Sequence, residues 1–501
     1  MNFLRLHSKK AVALLTACFV VSAFNTTFAA DKKGGKKFMH RECGPLELYK
    51  GQPVKYVFLF IGDGMAATQV DATRRYKMQP LAIDSLPVKG LTYTSCQNKM
   101  HTDSGAAATA IACGKKTGTA MLGVDIEGKP MMSVAAKAKK YSKRKVGILA
   151  SCALNHATPA GFYANHPARS KYIEVGLQLT KTNFDLFAGG GFRGDDPEVV
   201  YNAAKENGFK VIRDRAGFDN LKKDQYEKIL LSAPVLAGQA LPERINQNHP
   251  DDVTLAKITK KAIDVLDNDN GFFIMVEGSQ IDWSCHKNDA AAAINELLSF
   301  DDSVKIALDF AKKHPNETLI VVCGDHETGG MKMGLAGVQP KKLNEVLSKQ
   351  TMSATAFNAA FTKFVEENKL VSSKDKAVQE KQLETIKPLL KKAFGYDDFS
   401  AKELKMLNKG LIESLKKIHK DNYKFDWGTY ANYMPLTVEM THITNQRVGI
   451  SWTSYSHSYT PTTVFAYGKG SEVFTGEYQN TGLGLKLMSI IGVPAKVEYK
   501  K

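Results

Sequence analysis

The run His101-Thr102-Asp103-Ser104-Gly105-Ala106-Ala107-Ala108-Thr109-Ala110 sets a carboxylate and a hydroxyl directly before a string of very small side chains. A serine there reads as a nucleophile in the first turn of a helix, where unpaired N–H groups favour an anion. The same residues suit a capped, alanine-rich core helix, because Asp and Ser both cap well. Ser104 gains its chemical reading from the acidic and histidine clusters elsewhere.

Those clusters follow apolar runs. Tyr56–Ile61 ends in Gly62-Asp63-Gly64, a plain turn or a carboxylate freed to approach a cation. Glu277 directly follows the run Gly271–Val276, and Asp282 and His286 come four residues apart just beyond it. On a helix that pair shares one face at about 5–6 Å, a workable spacing for two ligands of one Zn²⁺. Cys285 then points elsewhere. After Thr318–Val322 and Cys323-Gly324 stand Asp325 and His326, a pair costly to bury unless a partner such as a metal neutralises it. His156 and Thr158 follow the run Val146–Ala150, and Arg169 lies eleven residues beyond Thr158. Arg169 suits a surface ion pair or a bidentate clamp on phosphate. His457 precedes the run Thr463–Tyr467 and carries weight only by completing a set. Mixed Asp/His sets suit Zn²⁺, whereas Asp/Glu/Thr oxygen sets suit Mg²⁺.

Positioning so many groups at strand ends requires a sheet. The five apolar, β-branched runs just named read as buried strands, and helical patterns such as Asp289–Ala311 lie between them. Alternation of this kind predicts an α/β fold with a mostly parallel central sheet and helices on both faces. Ligands in such sheets bind beyond the carboxyl ends of the strands. Residues 336–435 break the alternation and predict an inserted helical subdomain. Phe357, Phe361, Phe364 and Val365 share one face, and Ser400 to Glu403 resembles a capping box. It opens a helix with the stripe Leu404, Leu407, Leu411, Leu415 and Ile418. The expected catalytic domain is therefore 53–335 with 436–501. The insertion is expected as a cap near the site, since it lies between two ligand motifs.

The first 30 residues read as a secretory signal peptide: a basic start at Arg5, Lys9 and Lys10, an apolar core from Ala11 to Ala23, and small residues at Thr27-Phe28-Ala29-Ala30. Export to the periplasm or medium follows, with lipoprotein anchoring at Cys18 the lesser alternative. No later run is long enough to predict a membrane span. Residues 31–52 read as an N-terminal segment of low complexity up to Lys37. Losing the three signal-peptide cations lowers the formal charge from +17 to +14. Much of this excess lies in the lysine-rich insertion, which reads as a solvated face; no nucleic-acid partner is required. Six cysteines beyond the signal permit disulfides without fixing a pairing.

Taken together, Gly62-Asp63-Gly64, Thr102-Asp103-Ser104-Gly105, His156-Ala157-Thr158-Pro159 with Arg169, Glu277 with Asp282 and His286, Asp325-His326-Glu327-Thr328, and His457 resemble the alkaline phosphatase family in order and spacing. The likeness covers roughly residues 53–335 and 436–493. It implies one zinc held by Asp282, His286 and His457, and a second by Asp63, Ser104, Asp325 and His326. It further implies magnesium at Asp63, Thr158 and Glu277. Ser104 would be the nucleophile, passing through a phosphoserine, and Arg169 the phosphate clamp, with Asp103, His156 and Trp283 around them. The best-known bacterial pattern has Asp and Lys where this chain has His156 and Trp283, which leaves the third metal's identity open. The resemblance implies hydrolysis of small phosphate monoesters and a homodimer. The alternatives are a related phosphodiesterase or sulfatase, or a non-catalytic metal- or phosphate-binding protein.

Overall fold

The computed structural model describes residues 41–500, apart from 338–341, 422 and 425. The signal-peptide reading, Cys18 and the low-complexity stretch fall outside the described residues. Fourteen strands form among those described. They are β1 (Tyr56–Gly62), β2 (Val88–Tyr93), β3 (Lys145–Ala150), β4 (Leu186–Gly189), β5 (Lys210–Ile212), β6 (Ile229–Ser232), β7 (Phe272–Gly278), β8 (Thr318–Gly324), β9 (Glu327–Thr328), β10 (Lys332–Met333), β11 (Ile450–Ser451), β12 (His457–Ser458), β13 (Thr462–Gly468) and β14 (Gly476–Gln479).

Ten of them build one sheet in the order β14-β2-β13-β8-β1-β7-β3-β4-β6-β5. Strands β1, β7 and β8 are buried along their whole length, as continuous apolar runs require when helices cover both faces. Pairing is parallel from β8 through β5, and β13 alone runs antiparallel to both its neighbours. Two apolar clusters lie on opposite faces. Val57, Leu59 and Ile61 of β1 enter one, and Phe58 and Phe60 enter the other. The predicted α/β architecture is present. The six cysteines 43, 96, 113, 152, 285 and 323 are all free, so the disulfides their number permits do not form.

The segment from 342 onward is helical, with Leu343–Leu347, Ala354–Glu367, Lys376–Phe394 and Ala401–His419. The capping box is real: Ser400 Oγ accepts from Glu403 N at 3.3 Å, and Glu403 Oε2 accepts from Ser400 N at 2.8 Å. Leu407, Leu411 and Leu415 are buried, with Leu404 and Ile418 half-buried against the same cluster. Leu436, Met440 and Ile443 join that cluster from the helix Pro435–Arg447. The helical layer thus continues past 435, the end the sequence pattern marks, because the returning helix packs on Ala401–His419.

Asp289 caps the long core helix Ala290–Ala311, accepting from Ala292 N at 3.0 Å, and also accepts from Gln350 and Ala354 of the helical layer. Glu296 of the same helix is buried beside Glu243, and burial, with that neighbour's charge, pushes its carboxyl up from 4.5 to about 8. The fold therefore holds the neutral acid. Its contribution is fully present below the unfolded titration and is lost as pH rises through about 8. Glu296→Gln is expected to stabilise the protein by roughly 2 kcal/mol more at pH 9 than at pH 6. Thermal melts at the two pH values check this, and equal shifts would sink it.

Candidate metal centre and active site

Strand register brings the acids to one level. Gly62 of β1 lies opposite Gly278 of β7 and Gly324 of β8, while Ala150 of β3 lies opposite Glu277. Asp63, Glu277 and Asp325 therefore emerge side by side from the carboxyl edge. Two glycines allow this closeness. A Cβ on Gly324 would collide with the Met65 carbonyl, and one on Gly64 would sit 2.8 Å from Asp282 Cα. Because β13 is reversed, its beginning lies at the same edge, and His457 on β12 is delivered there.

Two groups with metal-ligand geometry result: Asp282, His286 and His457, and Asp63, Asp325 and His326. In the first, His286 Nε2 lies 3.3 Å from Asp282 Oδ2, and His457 Nε2 lies 3.8 Å from Asp282 Oδ1. Asp282 and His286 share a face of the helix Gln280–His286, as their spacing predicts. In the second, His326 Nε2 lies 3.4 Å from Asp63 Oδ1 and 3.3 Å from Asp325 Oδ2. The imidazoles of His326 and His457 stack with centroids 3.7 Å apart, so the groups adjoin.

The surroundings fix which nitrogen faces inward. His286 Nδ1 donates to the Tyr455 carbonyl at 2.6 Å, and His457 Nδ1 to the Thr102 carbonyl at 2.8 Å. Thr328 Oγ1 donates to Asp282 Oδ1 at 2.5 Å, which leaves its lone pair to accept from His326 Nδ1 at 3.2 Å. All three rings thus turn Nε2 rather than Nδ1 toward the acids, the orientation a metal needs. The sequence reading gave Thr328 and Thr102 no role of their own, though both stand in its motifs, and it did not single out Tyr455. Two act through carbonyls that every residue carries, and a threonine after His-Glu has no distinctive signature. Thr328→Val is expected to weaken divalent-metal retention about 10- to 100-fold, with Thr328→Ser near wild type. Competition with a chromophoric chelator measures it, and unchanged retention in the valine variant would remove Thr328 from this role.

The electrostatics favour a cation. Burial pushes the carboxyls of Asp63 and Asp325 well above the usual range, helped by Asp325 and Asp282 at the first and by Asp282 at the second, and burial raises Glu277. Burial would also raise Asp282, yet His286 and then His457 hold it well below. Burial lowers His326 and His457, so neither carries a proton readily. Asp325 Oδ2 and Glu277 Oε1 are buried without a hydrogen-bond partner. Such atoms are costly to leave unsatisfied, and a metal ion at either group satisfies them. A third oxygen set adjoins: Asp63 turns Oδ2 toward Thr158 Oγ1 at 3.5 Å, and Glu277 accepts from Cys152 Sγ through its other oxygen at 3.3 Å.

Ser104 opens the helix Ser104–Cys113, with Oγ 3.2 Å from His326 Nε2 and 3.5 Å from Asp63 Oδ1. Asp103 caps that helix, accepting from Gly105 N and Ala106 N, and also accepts from Ala120 N at 2.9 Å. The same carboxylate receives Arg169 Nη1 at 2.9 Å, so one acid sets both the helix end and the guanidinium. Burial alone would raise Asp103, but Arg169 and the backbone donors hold it below the usual range. Arg169 Nη2 lies 3.4 Å from His156 Nε2, and His156 packs edge-on against Trp283 at 5.5 Å. Burial, then Arg169, pushes His156 down to about 3, so it is a neutral ring there. Every candidate residue is accounted for at this one edge.

The alkaline phosphatase family model matches residues 54–493. The chain is 30% identical over 484 residues to alkaline phosphatase 3 of Bacillus subtilis, spanning 92% of this chain and 94% of that one. It shares its fold with the cold-active alkaline phosphatase of the psychrophile Shewanella sp., at TM-score 0.71 and 26% identity, covering 87% of this chain and 99% of that one. A histidine-to-aspartate variant of the alkaline phosphatase from the Antarctic bacterium TAB5, with Mg bound in its M3 site, matches at TM-score 0.60 and 25% identity, covering 90% and 100%. Among the described residues no helix is long and apolar enough to cross a membrane.

Proposed function

The chain belongs to the alkaline phosphatase family, and from that premise we propose that it hydrolyses phosphate monoesters through a phosphoserine on Ser104, releasing an alcohol and inorganic phosphate. The observation that carries the reading is the position of Ser104 Oγ, 3.2 Å from His326 Nε2 in one metal-type group, with Arg169 anchored by the residue next to the serine.

Asp282, His286 and His457 would hold one zinc, Asp63, Asp325 and His326 with Ser104 a second, and Asp63, Thr158 and Glu277 a magnesium. Asp63 serves two of these sets through different oxygens. Bound divalent ions supply Lewis-acid stabilisation of the attacking and leaving oxygens and lower the pKa of water. Ser104 Oγ forms a bond to phosphorus as the bond to the ester oxygen breaks, and the alcohol departs on the opposite side. Water then attacks phosphorus in line, the Ser104 Oγ–P bond breaks, and phosphate leaves. Arg169 offers its planar fork to the phosphoryl oxygens, and Asp103 keeps that fork oriented. The neutral His156 borders the clamp with Trp283 packed on it, and neither ring adds a second positive charge there.

The N-terminal pattern supports export to the periplasm or medium, and the family likeness supports a homodimer. The decisive test is hydrolysis of an aryl phosphate monoester at alkaline pH by the purified mature protein. Turnover is expected to disappear on chelation and return with zinc and magnesium, and to exceed turnover of the matching diester. No monoester turnover with both metals bound, or a faster diester, would overturn the reading.

A further inference from the structure

The helix Gln280–His286 carries Asp282 and His286, and the long core helix begins at Ala290, so residues 287–289 form the joint between them. The helical layer grips this joint. Gln350 and Ala354 donate to the Asp289 carboxylate, Asn445 Nδ2 donates to the Asn288 carbonyl at 2.7 Å, and His442 Nε2 lies 3.4 Å from Asn288 Oδ1. Asn288 is buried and left-handed, with φ of 51°, a conformation that Gly, Asn and Asp adopt most readily. Its side-chain amide donates to the Cys285 carbonyl at 3.0 Å and to the Ser454 carbonyl at 3.0 Å, which uses both of its N–H groups. Those carbonyls belong to the two segments that build one metal-type group. Cys285 adjoins His286, and Ser454 adjoins Tyr455, whose carbonyl accepts from His286 Nδ1 and whose segment runs on to His457. Tyr455 is tied to the layer as well, its hydroxyl donating to the Thr429 carbonyl at 2.6 Å. The group of Asp63, Asp325 and His326 stands instead directly on the ends of β1 and β8, inside the sheet.

We propose that Asn288 is a positioning residue through which the helical layer braces the group of Asp282, His286 and His457. Its amide fixes the helix that carries two of the ligands against the segment that carries the third, and Asn445 holds its backbone in place. The inference rests on the proposed reading of these three residues as the ligands of one ion, and it gives the helical layer a part in metal retention.

Zinc retention by the full chain, measured by competition with a chromophoric chelator, tests this. Asn288→Gly and Asn288→Asp both suit the left-handed backbone and both lose the amide donors, so each is expected to release a zinc ion about tenfold more readily than wild type. Asn445→Ala leaves the Asn288 side chain intact and should do so about fivefold more readily, which keeps the test open if the Asn288 variants fold poorly. His286→Ala removes a ligand and should lose that ion at least as readily. In the His286→Ala background, Asn288→Gly should change retention of the remaining ions less than about twofold, because the group it braces is already broken. Wild-type retention in both Asn288 variants or in Asn445→Ala, or an equal weakening with and without His286, would overturn the proposal and leave the three ligands standing. Wild-type retention in His286→Ala would instead sink the ligand reading, and the proposal with it.

Discussion

Ser104→Ala is expected to lower kcat for an aryl phosphate monoester by about 10⁴-fold or more, with fold and metal content preserved. The helix cap does not depend on the hydroxyl, since Gly105 N and Ala106 N are held by the Asp103 carboxylate. Asp63, Asp325 and His326 remain to hold an ion. What disappears is the hydroxyl proposed to form the covalent intermediate. Mass spectrometry of acid-quenched wild type should find phosphate on residue 104, and the alanine variant should show none. If turnover fell less than about tenfold, a water molecule would be attacking directly, and Arg169 and the metals would be the whole machinery.

Asp63→Asn is expected to act in opposite directions on activity and on metal-free stability. Its carboxylate faces His326 and Ser104 with one oxygen and Thr158 with the other, so neutralising it weakens two metal sets together. A loss of about 10³-fold in kcat/KM, with fewer metal ions per chain by elemental analysis, is the expected result. In the metal-free protein the same change removes a buried charge crowded by Asp325, Asp282 and Glu277. That charge is costly without a counter-ion, so the metal-free variant should melt roughly a few degrees higher than metal-free wild type. The order should reverse when metal is restored. Melting curves that keep the same order in both states would mean that Asp63 is not a ligand.

The chemistry was legible before the fold because its residues sit in short glycine-flanked motifs behind the most apolar runs in the chain. Those runs became β1, β3, β7, β8 and β13, in the middle of the sheet. The strands that pattern reading missed are short or mixed. Lys210–Ile212 has three residues, and Val88–Tyr93 carries a lysine and a glycine and is mostly half-exposed. The reversal of β13 was not legible either, since an apolar run reads alike in both directions. It is nonetheless what brings His457 to the carboxyl edge. The insertion's helices were visible through their apolar period and capping box. The packing of Tyr433, in the loop before the helix Pro435–Arg447, against Tyr455 with ring centroids 5.7 Å apart was not, because that loop's path is set by tertiary contacts.

The place of β13 also has a consequence for how the molecule is made. It is nearly the last strand in the chain, yet it sits inside the sheet between β8 and β2. A nascent chain that has reached only the helical layer has an open edge on β8 and lacks His457. Long-range closures of this kind form late, and unpaired edges are vulnerable until they do. The group of Asp282, His286 and His457 is therefore completed only in the finished polypeptide, whereas Asp63, Asp325 and His326 are all in place in the chain before the helical layer is made.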